Sequence, residues 1–152
     1  MKEEILKSLY DCNRWLEGKF PAELAGFPMD YKLDQYLQIP EIKVLESARE
    51  KNIIFYRIIK KLLEHDKHVL YINFEDEILK KYTLKEIVSV FRETAPVRHL
   101  FIDEIQNCTN WIAFIRKAYD LKEIPQIWIS GSNIFKKEFA TLLTGRNITI
   151  NL

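Results

Sequence analysis

The strongest constraint on this chain is an alternation. Short apolar runs recur along it, and segments with helical spacing separate them. The strand candidates are 42–45, 68–74 (HVLYINF), 98–103 (RHLFID), 126–130 (QIWIS) and 148–152. β-Branched and aromatic residues dominate them. Residues 50–64, 83–91, 111–119 and 133–143 read as helices, with Thr83 and Glu86 in capping-box spacing. Strands that alternate with helices across short connections predict parallel pairing through right-handed crossovers. Several runs are apolar almost throughout, as strands covered on both faces must be. The expected class is α/β, a parallel sheet of about five strands flanked by helices.

Ahead of this region, residues 2–17 predict an amphipathic helix with Ile5, Leu9, Cys12 and Leu16 on one face. Gly18 stands where a helix-terminating glycine belongs. A second short helix is expected over 31–38, before Pro40. The chain thus divides into an N-terminal helical lead, 1–40, and a core, 41–152. It stops on an apolar strand, an odd place for a complete protein to stop, so a longer parent chain is expected.

Composition narrows the function classes. A chain of 152 residues with 47% hydrophobic content suits one domain with an ample core. Its 30% charged residues nearly cancel, to a net +1, which gives no broad electrostatic case for nucleic acid or a membrane surface. Lys60-Lys61 and Lys136-Lys137 read as solvated helix faces, and no basic stripe carries interleaved aromatics. No apolar run has signal-peptide length, and none approaches the roughly 20 residues of a membrane span. A cytoplasmic protein is expected. Cys12 and Cys108 lack CxxC spacing and stand apart from the three histidines, so reduced thiols are expected and a metal-site pattern is absent. His65 and His68 read as exposed loop residues.

The most informative stretch is 99–106, HLFIDEIQ. An apolar strand ends in two adjacent carboxylates, Asp103 and Glu104. Ligands of open α/β sheets bind beyond the carboxyl ends of strands. One carboxylate there can hold Mg²⁺ and the next can orient a nucleophilic water, the Walker B arrangement. A strand that merely ends in a solvated acidic turn carries the same letters. The downstream residues add weight: DEIQNCTNW, a helix, a strand ending ISGSN, then LTGR. In that order and spacing, these features resemble a family of prokaryotic AAA+-type P-loop ATPases, over about residues 40–152.

The resemblance implies a three-layer P-loop NTPase-like fold with ATP and Mg²⁺ as ligands. It implies Asp103 on the metal and Glu104 on the attacking water. It puts Ser130 and Ser132 in the sensor 1 position, where a Gly-Ser turn capping the next helix is the plainer alternative. Arg146 falls where such folds place an arginine finger for a neighbour's nucleotide, or it is an ordinary surface arginine. Gln106 either relays a hydrogen bond from Glu104 or turns the chain. A second copy, or a full-length ATPase paralogue, is the implied partner. Family members carry a helical lid and a nuclease-like C-terminal domain, and neither fits in this chain.

One departure is large. A phosphate loop needs G-x-x-x-x-G-K-[ST], with glycines that let backbone N–H groups face phosphate. Residues 43–57, KVLESAREKNIIFYR, contain no glycine. Ser47-Ala48-Arg49 aligns best with the family's Gly-Pro-Arg, and Lys51-Asn52 with its Lys-Thr, about two residues short. Arg49, Lys51 and a helix N-terminus still favour an anion, and Asn52 offers a carbonyl oxygen. Glu46 and Glu50 oppose it, and Arg49 and Lys51 equally suit a solvated helix start. Weak nucleotide binding with weak or lost hydrolysis is expected. The alternatives are a non-catalytic interaction module and an inert fragment of a larger ATPase.

Overall fold

The computed structural model describes residues 1–19, 31–46, 51–131 and 143–151. The chain opens with α1 (Lys2–Cys12), a 3-10 turn (Arg14–Glu17) and α2 (Tyr31–Asp34). There follow β1 (Ile42–Glu46), α3 (Lys51–Leu62), β2 (Val69–Asn73), α4 (Leu84–Arg92), β3 (His99–Asp103), α5 (Trp111–Asp120), β4 (Gln126–Ser130) and β5 (Asn147–Asn151). Every expected strand is present, within one residue of its expected ends. The helix expected over 133–143 falls almost wholly outside the described residues.

All strand pairs are parallel, in the order β2-β3-β4-β1-β5. The chain leaves β1 through α3 for the far edge at β2. It then steps inward through β3 and β4 until β4 lies against β1. β5 is laid on β1's other side. The direction of travel therefore reverses at the β1/β4 boundary, the place where open α/β sheets form a ligand crevice.

Alternation along each strand builds two cores. On one face, Leu70, Ile72, Leu100, Ile102, Ile127 and Ile129 pack with Ile5 and Leu9 of α1 and the apolar sides of α4 and α5. On the other, Val69, Tyr71, Phe101 and Trp128 pack with Phe55, Ile58 and Ile59 of α3. This is the expected three-layer arrangement. α4 begins as anticipated, with the Thr83 hydroxyl accepting from the Glu86 N–H at 3.1 Å and the Glu86 carboxylate accepting from the Thr83 N–H at 3.0 Å.

The N-terminal helix differs from the expectation. It stops at Cys12, because Asn13 leaves helical geometry (φ −118°, ψ 60°) and a separate 3-10 turn follows. Gly18 closes that turn in the left-handed conformation, φ 74°, which suits a residue without Cβ. Asn13 breaks the helix because its side chain is used elsewhere. β2 is an edge strand, and the Tyr71 N–H and C=O on its outer side need partners. The Asn13 amide supplies both, accepting from the Tyr71 N–H at 2.7 Å and donating to the Tyr71 carbonyl at 2.7 Å.

His68 is a second correction. It is half-buried, with Nδ1 3.3 Å from Asp66. Asp66 also gathers Arg98 at 3.0 Å and His99 at 3.2 Å, so one carboxylate organises the amino end of β3. Cys12 and Cys108 are both free, as expected. Among the described residues no helix is long and apolar enough to cross a membrane.

Candidate functional site

β3 delivers Asp103 to the carboxyl edge of the sheet, on the same face as Phe101 and α3. Pairing of Ile102 with Ile129 brings Ser130 of β4 beside it. The Ser130 hydroxyl donates to Oδ1 of Asp103. The Tyr71 hydroxyl donates to Oδ2 at 2.9 Å. Both carboxylate oxygens are therefore held, and Asp103 is only 4% exposed. Burial raises its pKa and the adjacent Glu104 charge adds to that, while the hydrogen bonds from Ser130 and Tyr71 oppose it. Tyr71 is raised strongly, by burial first and then by the Asp103 charge, so its proton stays in place as a donor.

Glu104 leaves the strand in a left-handed conformation, φ 54° and ψ 47°. Non-glycine residues adopt it rarely, and such strain gathers at functional sites. The turn separates the two carboxylates. Asp103 is buried among hydroxyls, whereas Glu104 is half-exposed and accepts a hydrogen bond from the Gln106 amide. The turn is tied to β2, with the Asn107 amide donating to the Phe74 carbonyl at 3.3 Å and the Phe74 N–H to the Asp103 carbonyl at 3.0 Å.

The sequence-derived residues fall into three groups. Asp103, Ser130, Glu104 and Gln106 come together at the carboxyl edge, and Asn52 lies exposed in the first turn of α3, which leaves that same edge. Arg49, Ser132 and the Lys51 side chain lie outside the described residues. Arg146 is elsewhere. Its carbonyl accepts from the Ile42 N–H at 2.8 Å, which puts it at the amino end of β1 and β5, about 15 Å of strand from Asp103. Its guanidinium makes a two-pronged contact with Asp120 at the end of α5, at 2.8 and 3.1 Å.

Tyr71 and Asn13 escape a motif-based reading. A tyrosine within an otherwise apolar, doubly covered strand was a usable signal, since a buried phenol takes a partner. For Asn13 the signal was an amide inside a helical stripe, where it competes with the helix backbone.

A parallel sheet in this strand order, covered by helices on both faces, defines a three-layer α/β fold of the P-loop NTPase type. A model of the AAA domain matches residues 50–152. The chain therefore belongs to that family of AAA-type domains. The match begins beyond β1 and most of the connection after it. An uncharacterized protein of Methanocaldococcus jannaschii, MJ1544, is 36% identical over 113 residues, covering 71% of this chain. This chain spans 25% of that protein's length. AMPPCP-bound DnaA from Aquifex aeolicus shares the fold, with a TM-score of 0.54 and 15% identity over 85% of this chain and 49% of that one.

Proposed function

We propose that this chain is an AAA-type ATPase core that binds Mg-ATP weakly at the carboxyl ends of β1, β3 and β4 and hydrolyses it slowly or not at all. The observation that carries the reading is the Asp103 carboxylate, set at the carboxyl end of β3, the strand next to β4, and held by Ser130 and Tyr71. Its surroundings suit a hard cation. Mg²⁺ is commonly held by one or two carboxylates together with the phosphates it serves, and Asp103 supplies such a carboxylate. Bound there, the ion would neutralise charge on the phosphates.

In this reading Asp103 is the metal-side carboxylate and Glu104 orients water, with Gln106 holding its side chain. Ser130 and Ser132 take the sensor position. Lys51, Arg49 and Asn52 are the residues assigned to phosphate. Arg146, at the opposite end of the sheet and paired with Asp120, would serve only a neighbouring copy or a full-length paralogue. The weakness lies in the connection between β1 and α3, where four residues, none of them glycine, join Glu46 to Lys51. That is too few to wrap a triphosphate with backbone N–H groups. The same connection favours a second reading, a domain that keeps the fold as a non-catalytic interaction module. Phosphate release from saturating Mg-ATP should stay at or below about 10⁻³ per second, no faster than an unassisted GTPase. Turnover above about 1 per second, abolished by Glu104→Gln, would contradict the reading.

A further inference from the structure

Two buried residues lead to Asp103, Tyr71 through its hydroxyl and Asn13 through the Tyr71 backbone. Tyr71 is 1% exposed, and its ring is wedged against α3, edge-on to Phe55 at 6.5 Å and tilted against Tyr56 at 5.0 Å. That packing fixes the ring plane and so fixes where the hydroxyl can stand. Its backbone is fixed independently by the Asn13 amide, one bond to its N–H and one to its carbonyl. Asn13 is itself completely buried and anchored to α1 by a 2.7 Å bond to the Leu9 carbonyl. An unbroken series of contacts thus runs from the end of α1, through β2, to the acidic end of β3.

The direction of approach matters. Tyr71 is in register with Phe101, two residues before Asp103, so its hydroxyl meets the carboxylate from the amino-terminal side. Ser130 meets it from the neighbouring strand. Both donors come from neighbouring strands of the sheet.

We propose that Tyr71 and Asn13 are positioning residues for Asp103, a role that rests on reading Asp103 as the metal-side carboxylate. Tyr71 holds the carboxylate in one rotamer, and Asn13 holds Tyr71. The N-terminal lead thereby sets the geometry of the site without touching a ligand. Partners of this kind, one step removed from a metal, typically change its affinity by about 10- to 100-fold when lost.

The test uses the whole chain and two readouts. The first is the Asp103 side-chain rotamer in the metal-free protein, from three-bond NMR couplings. The second is ATP affinity with and without Mn²⁺. Tyr71→Phe keeps the ring and removes only the hydroxyl. Asn13→Asp keeps the acceptor for the Tyr71 N–H and loses the donor. The wild type should show one rotamer. Tyr71→Phe should average over several and lose about 10-fold of the Mn²⁺-dependent affinity, with metal-free ATP binding unchanged. Asn13→Asp should shift both readouts the same way, by less. A single Asp103 rotamer in both variants, whatever their ATP affinity, overturns the proposal. If no protein binds ATP with Mn²⁺, the nucleotide reading fails, and the rotamer alone still decides whether Tyr71 and Asn13 position Asp103.

Discussion

Replacing Asn13 with leucine is expected to lower the unfolding free energy by about 3 kcal/mol. The side chain is fully buried, and its amide is the partner of the Tyr71 N–H and C=O on the outer side of β2. Leucine fills a similar volume but leaves a donor and an acceptor buried and unpaired, each at about 1–3 kcal/mol. The loss of the bond to the Leu9 carbonyl comes on top. Urea denaturation should show a lower midpoint with an unchanged slope. A loss below about 0.5 kcal/mol, the range of an ordinary surface change, would mean that the edge of β2 finds other partners.

The second large effect concerns Lys43, which is fully buried on β1. Its ammonium donates to the Ile39 carbonyl and the Gln126 amide oxygen and lies 5.5 Å from the Trp128 ring centre. Burial pushes its pKa down from 10.5 to about 8, against the opposing charge of Glu41. Between those two values the unfolded chain carries a proton that the folded chain does not. The lysine therefore adds stability as pH rises through that window, by up to about 1.4 kcal/mol per pH unit. Cys12 and Cys108, pushed up to about 11 by burial, and Tyr56, pushed up to about 12, act with the opposite sign in alkali. They keep protons in the folded state that the unfolded chain releases. The comparison with Lys43→Met separates the lysine from them. From pH 8 to 10, the stability difference should move steadily in favour of the wild type. A difference that stays flat over that range would mean the ammonium is as well solvated in the fold as in the unfolded chain.

The strands were legible because doubly covered parallel strands must be apolar on both faces, and HVLYINF and QIWIS have no other plausible use. The capping box at Thr83 was legible because it is local. Strand order was not, since periodicity says nothing about which strand lies beside which. That β1 separates β4 from β5 depends on crossovers many residues long. The partner that draws Asn13 out of the helix was hidden for the same reason, since Tyr71 is 58 residues away. Nothing in the sequence marks Lys43 for burial, because a fully buried lysine is rare. The position of Arg146 was within reach. A residue that opens a parallel strand lies at the amino edge, so it stands across the sheet from Asp103.

At the carboxyl edge the sequence pointed to Asp103, Ser130 and Glu104, which the fold brings together. It was silent on how Asp103 is held, because a hydroxyl from β2 has no sequence proximity to β3. The proposed weakness of nucleotide binding rests on the glycine-free connection between β1 and α3.

The most direct test is calorimetric titration of Mg-ATP into the whole chain, with Asp103→Ala and Lys51→Ala alongside. Binding weaker than about 100 μM, roughly −5.5 kcal/mol, is expected, lost in Asp103→Ala and further weakened in Lys51→Ala. Low-micromolar binding that survives Asp103→Ala would place the nucleotide elsewhere. No heat up to millimolar nucleotide, from a chain shown to be folded, would mean that this AAA-type domain has no working nucleotide site.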